Sequence, residues 1–305
     1  MNEVISTDIA WVEKLLKDVI GTSDYSNIER MGGLTNHTYK VTMGGGRVYV
    51  VRLPGVGTEE LINRANEKVS TQLACSLGLD AKMLYFSDCG EKVTCYIDGA
   101  KTLCCESFKD DAVLRKAAKA LQVLHTCGVD TSVPFDVFEM ATGYEKIIKE
   151  YSVPFFSDDA EVKKKIIKIR EYVQANRIMA VPCHNDPLCE NWVLDKDGKL
   201  FLIDWEYAGM NDSMWDLADV SIEASLTEEQ EEKLLLFYFE RKPDEIERLR
   251  FYANKLYLDF LWSLWGKTRL PFDGKSMEDY GTERYLRLKK NLVKYAYLFK
   301  DAAVF

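Results

Sequence analysis

The sequence predicts an α+β chain in two lobes: a small sheet-rich N-terminal lobe over residues 1–100 and a larger helical lobe over 101–305. Three observations carry that expectation. Strand-type alternation and turn residues crowd residues 28–97. After Lys101 the apolar spacing turns helical, which places the lobe boundary near 98–102. The stretch 183–204, CHNDPLCENWVLDKDGKLFLID, then sets a short hairpin inside the helical half.

Composition bounds the possibilities. With 305 residues, 47% hydrophobic and 12% aromatic, the chain can build one large or two ordinary cores. No charged-then-apolar leader opens it, and no apolar run approaches the roughly 18 residues that span a bilayer. The expectation is a soluble, cytoplasmic protein with no membrane partner. Eight cysteines without a C-x-x-C pair read as reduced thiols, most of them small core residues. A net charge of −9 argues against nucleic acid, which needs a basic face, and favours a cationic substrate over an anionic one. Most of those charges still belong to a solvated surface. No signal bears on oligomeric state.

Trp11, Val12, Leu15, Leu16 and Val19 recur at helical spacing, which predicts a helix over 7–20 stopped by Gly21. Residues 28–31 and 37–43 read as strands around Gly32-Gly33-Leu34-Thr35-Asn36. Paired glycines there would let backbone N–H groups approach phosphates, although an ordinary turn fits them as well. Gly44-Gly45-Gly46 leads into a strand over 48–53 that carries Arg52 near its end, a cation placed to meet phosphates. A helix over 58–77 follows, capped by Thr58, with Glu67 near its centre as a partner for Arg52 or a plain surface charge. Strands over 81–87 and 92–97 meet at Asp88-Cys89-Gly90-Glu91, and Asp98-Gly99 ends the sheet at a hinge.

In the helical half, 110–125, 138–151 and 159–176 show helical periodicity, with His125 as a helix-end or core histidine. Beyond the hairpin come helices over 214–224, 227–241, 243–266 and 280–299. Leu256 to Trp265 is apolar nearly all round and should be buried. Trp262 and Trp265 share one face of that helix; such a pair is either core or, with carboxylates nearby, a surface for a quaternary ammonium held by cation–π contact.

The hairpin has arms over 192–194 and 200–203, with Asp195-Lys196-Asp197-Gly198-Lys199 as its turn, and so brings Asn191 and Asp204 together. One amide oxygen and one carboxylate suit Mg2+ that also binds phosphate oxygens. Asp186, five residues before Asn191, would face an acceptor hydroxyl. H-x-D-x-x-x-x-N followed by a strand ending in Asp is the kinase-type order of a phosphoryl-transfer centre. A hairpin with solvated turn charges is the plain alternative. Zinc on Cys183, His184 and Cys189 matches none of the usual paired-ligand spacings.

Six segments, GGLTNHTYKV (32–41), LINRANEK (61–68), HNDPLCEN (184–191), LIDWEYAGMNDSMWDLADVSIEASL (202–226), FLWSLW (260–265) and DYGTERY (279–285), stand in the order of one family. The chain resembles the choline/ethanolamine kinases, and the bacterial choline kinases in particular. The resemblance implies a protein-kinase-like fold of the aminoglycoside-phosphotransferase and choline-kinase branch, with ATP between the lobes and Mg2+ as cofactor. It implies Asp186 as catalytic base, Asn191 and Asp204 as metal ligands, and Thr35, Asn36 and Arg52 at the nucleotide, with Glu67 as the partner of Arg52. Asp216 would support the catalytic loop, and Glu223, Trp262, Trp265 and Tyr280 would form the choline pocket.

Pro187, Glu190, the short loop at 32–36 and the lack of an A-P-E segment depart from protein kinases. The implied reaction transfers the ATP γ-phosphoryl group to choline. The rivals are a kinase of ethanolamine, an aminoglycoside or another amino alcohol, and an inactive nucleotide- or choline-binding module.

Overall fold

The structure is a computed structural model that describes residues 6–31, 36–55, 62–175 and 179–302. Its N-terminal part is an antiparallel sheet built from β1 (Tyr25–Arg30), β2 (Asn36–Met43), β3 (Val48–Pro54), β4 (Met83–Phe86) and β5 (Lys92–Cys95), in the order β1-β2-β3-β5-β4. Helix α1 (Ser6–Ile20) lays Val12, Leu15 and Leu16 on Tyr39, Val41, Tyr49, Val51 and Val93, which together form a closed small core. Strand β3 is central, and its register sets Arg52 opposite both Thr38 and Lys92. Two like charges directly opposed across a sheet repel, so this face needs an anion.

Helix α2 (Arg64–Ser76) supplies it. The helix begins later than the 58–77 expected, because Asn63 takes the cap by accepting from Asn66 N at 3.1 Å. Glu67 therefore sits in the first turn, not at the centre. Thr58 lies outside the described residues, as do Gly32 to Thr35.

A second, larger core fills the rest of the chain. Strand β6 (Lys101–Thr102) pairs with β8 (Trp192–Leu194), which pairs with β9 (Leu200–Leu202), so the segment after the small sheet is stitched onto the hairpin. Helix α3 (Asp111–His125) packs on the hairpin, α7 (Glu228–Phe239) packs on α3, and α4 (Val137–Glu150), α5 (Asp159–Gln174) and α6 (Ser213–Glu223) pack on the long helix α8 (Glu245–Asp273). Strands β7 (Val181–Cys183) and β10 (Gly209–Asn211) pair antiparallel on either side of the hairpin. At three residues each they are too short to show alternation in the sequence.

Helix α8 (Glu245–Asp273) overruns the stop expected at Gly266, and α9 (Lys275–Lys294) starts earlier and ends earlier than 280–299. The reason is a close crossing. A Cβ on Gly266 would stand 2.9 Å from Gly281 Cα, and one on Gly281 would stand 2.9 Å from the Ser263 carbonyl oxygen. Both glycines serve helix approach, and the true stop is Gly274 at φ +69°. All eight cysteines are unpaired. Among the described residues no helix is long and apolar enough to cross a membrane.

Candidate active site

The loop between β7 and the hairpin is held by one buried carboxylate. Asp216, in the first turn of α6, accepts from His184 N and Asn185 N, both at 2.8 Å. His125 Nε2 lies 3.0 Å from the same carboxylate, and its Nδ1 lies 2.9 Å from the Tyr238 hydroxyl. A carboxylate only accepts, so Nε2 carries the proton and Nδ1 accepts from Tyr238. His125 is thus a core strut.

Asn185 adopts φ 66°, a left-handed conformation that Asn tolerates better than most residues. Its side chain donates to Tyr207 O at 3.0 Å and accepts from Asn211 Nδ2 at 2.9 Å, which fixes the turn that projects Asp186. His125, Cys183 and Asp216 offer ligand-type atoms within 4.8 Å of one another. The Asp216 oxygens are already committed, and burial followed by the Asp216 charge pushes the Cys183 thiol well above its usual value, so the trio is no metal cage.

Asn191 and Asp204 meet as the hairpin requires, since Ile203 N donates to Asn191 O at 2.9 Å. Asn191 Nδ2 donates to Asp186 O at 2.9 Å, which commits the amide's donor side to the loop and leaves its oxygen as a ligand-type atom. Asp204 is also left-handed, at φ 69°, a conformation costing about 1–3 kcal/mol for a residue with a side chain. The neighbouring Ile203 carbonyl, 3.0 Å from His184 Nε2, helps to hold it.

The carboxylates here crowd one another. Burial, and then Asp204, Glu223 and Glu206, push Asp186 well above the usual carboxylate range. Glu206 is pushed up to about 7 by burial, then by Asp204 and Glu67. A hard divalent cation relieves such a cluster, and the oxygen-only donor set of Asn191 and Asp204 fits Mg2+.

The opposite wall is basic. Arg52 is buried; it donates to Glu67 through Nη1 and to Gly90 O at 2.9 Å through Nη2. Its Nε is buried without a hydrogen-bond partner among the described residues. Arg64 Nη1 donates to the second Glu67 oxygen at 2.7 Å, and Lys92 Nζ lies 4.0 Å from the first. Asn36 joins this wall to the acidic one by accepting from Arg64 at 3.2 Å and donating to Glu206 at 3.2 Å. Thr35 lies outside the described residues.

Behind Asp186 four rings run edge to face. Tyr207 meets Trp262 at 5.5 Å, Trp262 meets Trp265 at 6.2 Å, and Trp265 meets Tyr280 at 5.7 Å. Trp262 is buried, while Trp265 and Tyr280 keep partial exposure. Burial raises the Tyr280 hydroxyl, with Arg284 opposing and Glu223 and Asp186 adding to it, so these charges and the ring share one space. Glu223 pairs with Arg284 at 2.5 Å.

Arg64, Glu206, Tyr207 and Asp219 were not singled out from sequence. Arg64 could have been found three residues before Glu67, and Glu206 two after Asp204. Tyr207 and Asp219 carried no local signal.

The sequence model described as choline/ethanolamine kinase matches residues 28–266. Protein LicA of Haemophilus influenzae is 29% identical over 262 residues, 83% of this chain and 76% of that protein. Ethanolamine kinase 2 of Mus musculus is 28% identical over 240 residues, 71% of this chain and 62% of its own length. The structure of choline kinase LicA from Streptococcus pneumoniae superposes with a TM-score of 0.82 at 32% identity, covering 95% of this chain and all of that one. A LicA structure in complex with AMP, also 32% identical, covers 93% of this chain and 99% of its own at a TM-score of 0.76. Aminoglycoside 2'-phosphotransferase-IIIa, at 14% identity and a TM-score of 0.65, shares the fold; it covers 94% of this chain and 99% of its own.

Proposed function

We infer the acceptor from one premise: the chain belongs to the choline/ethanolamine kinase family. On that premise we propose that it transfers the γ-phosphoryl group of ATP to the hydroxyl of choline. The lobe junction at 98–102 would serve as the hinge over the nucleotide. The observation that carries choline over ethanolamine is the run of rings from Tyr207 through Trp262 and Trp265 to Tyr280, beside the Glu223 carboxylate. A quaternary ammonium donates no hydrogen bond and is held by ring faces and charge, whereas a primary ammonium needs acceptors.

In this reading Asp186 orients the acceptor hydroxyl and takes its proton as the new O–P bond forms. Arg52, locked by Glu67 and Gly90, faces the phosphates with its unpartnered Nε. Asn191 and Asp204 would hold Mg2+, which when bound would neutralise charge on the phosphate oxygens. Asp216 keeps the loop, and therefore Asp186, in register with the acceptor. Water is excluded by the apolar ring wall.

The test is kcat/KM for ADP formation with choline, ethanolamine, an aminoglycoside and no acceptor. A preference for choline of at least tenfold, about 1.4 kcal/mol, is the expected result. Preference for ethanolamine would keep the phosphoryl-transfer centre and refute the acceptor. Failure with every acceptor would leave a binding module.

A further inference from the structure

Helix α6 turns a row of carboxylates toward the loop that carries Asp186. Asp216, Asp219 and Glu223 follow at spacings of three and four, which places them on one helix face. The two ends of the row have partners. Asp216 is saturated by the His184 and Asn185 amides and by His125, and Glu223 is paired with Arg284.

The middle one differs. Asp219 is fully buried, and neither of its oxygens has a hydrogen-bond partner among the described residues. Arg284 stands near enough for its charge to act on Asp219, yet its ion pairs go to Glu223 at 2.5 Å and Asp259 at 3.7 Å. A buried carboxylate without donors is strongly unfavourable in its charged form; burial, then Glu223 and Asp186, hold Asp219 well above the usual carboxylate range, and a cation beside it favours ionisation. Geometry locates it: Arg284 pairs with Glu223, one turn after Asp219 on the same face of α6, and its guanidinium lies 4.8 Å from the centre of the Tyr280 ring. Asp219 therefore belongs to the acceptor side of the cleft.

We propose that Asp219 is a specificity-determining residue that supplies the counter-charge for the acceptor's onium group. This rests on the choline reading above and deepens it. An unpartnered carboxylate suits a quaternary ammonium in particular, because the attraction is Coulombic and asks for no hydrogen bond from the ligand. Together with the rings it separates two tasks: the rings read shape, and Asp219 reads charge.

The neutral carbon isostere of choline, 3,3-dimethylbutan-1-ol, has the same shape and hydroxyl and no charge, so it isolates the second task. Asp219→Asn should lower kcat/KM for choline by about 100-fold, the size of a unit-charge attraction across about 6 Å at an effective dielectric of about 20. The same variant should change kcat/KM for the isostere less than threefold, and Asp219→Glu should restore most of the choline preference. Equal losses on both acceptors would make Asp219 a packing element and overturn the assignment. If Asp219→Asn fails to fold, a choline-to-isostere ratio near one in the unaltered protein would overturn it without any variant, and the smaller uncharged Asp219→Ser decides otherwise: a ratio lowered at least tenfold supports it and an unchanged ratio overturns it. Turnover of no amino alcohol by the unaltered protein would overturn the acceptor reading and this assignment with it. Choline turnover with an unchanged ratio in Asp219→Asn would overturn the assignment alone.

Discussion

Asp216→Asn is a small change in shape with a large expected cost. The carboxylate accepts from two consecutive loop amides at 2.8 Å and from His125 at 3.0 Å, all out of solvent. An Asn keeps one acceptor oxygen. Its NH2 must then face either the Asn185 amide or the His184 amide together with His125, donor against donor. Hydrogen bonds to a buried charge contribute about 1.5–3 kcal/mol each, and an orphaned buried donor costs about 1–3 kcal/mol more. Losing one bond and orphaning one donor therefore comes to about 3–5 kcal/mol.

Part of that appears as stability, a Tm about 3–5 °C lower for a chain of this size. The rest appears as loop displacement, and because Asp186 is the next residue after Asn185, a shift near 1 Å at the base costs about 100-fold in rate. The assay is steady-state kcat and KM for both substrates beside a thermal melt. The expected result is kcat down at least 100-fold, with the ATP KM within about threefold, since Asp216 touches no part of the basic wall. A variant with the lower Tm but kcat within threefold of the unaltered enzyme would refute the reasoning, because Asp216 would then hold the fold and not the loop.

Asp186→Ala should lower kcat by about 1,000-fold or more and leave folding intact; turnover near the unaltered level would remove Asp186 as the base. Trp265→Ala should raise the choline KM while kcat changes less, and unchanged choline kinetics would return that ring to the core. Gly281→Ala places a methyl 2.9 Å from the Ser263 carbonyl oxygen, so α9 must shift with Tyr280; the expected outcome is about 1–3 kcal/mol of lost stability and a raised choline KM, and a variant equal to the unaltered protein in both would mean the crossing yields freely. Asp80 is buried, and burial, opposed by Lys92, raises it from 3.8 to about 6. The folded chain then keeps a proton that the unfolded chain releases, so stability falls as pH rises from about 4 to about 6, by about 3 kcal/mol. Asp80→Asn should flatten that slope in Tm against pH, and an unchanged slope would assign it to another group.

Features written in short contiguous spacing were legible from sequence. His184 and Asp186 lie in the loop that enters the hairpin, and Asn191 and Asp204 flank its two arms, so short-range geometry brings them together. Arg52 could be placed because an alternating strand fixes which face a residue shares, and its pairing with Glu67 follows from β3 and α2 being consecutive. Contacts between elements distant in the chain were not legible. Gly266 reads as a helix stop because its partner Gly281 lies across a turn, and only the crossing shows that it is a contact. Asn63 caps α2 while Thr58 lies outside the described residues, and local sequence alone could not rank two residues that are both good caps. Asp219 was invisible for the opposite reason: a carboxylate amid apolar residues on a helix predicts a surface position, and nothing local announces that this one is buried.

The charges of the cleft are sorted, and the sorting bears on the base. On one wall Arg52, Arg64 and Lys92 surround Glu67, with Arg64 also 3.6 Å from Glu206, so three cations stand where a polyanionic nucleotide would lie. On the other, Asp204, Glu206, Asp219 and Glu223 gather around Asp186 with Arg284 as the opposing cation. A carboxylate so placed holds its proton more tightly than an ordinary Asp. In the proposed reading each cation that entered would lower it again: a metal at Asn191 and Asp204 from one side, the acceptor's onium group from the other. An acceptor that carries its own positive charge would thus help to ionise the group that removes its proton. In such a site charge recognition acts on the rate as well as on binding, because an uncharged acceptor of identical shape leaves Asp186 in its less reactive form.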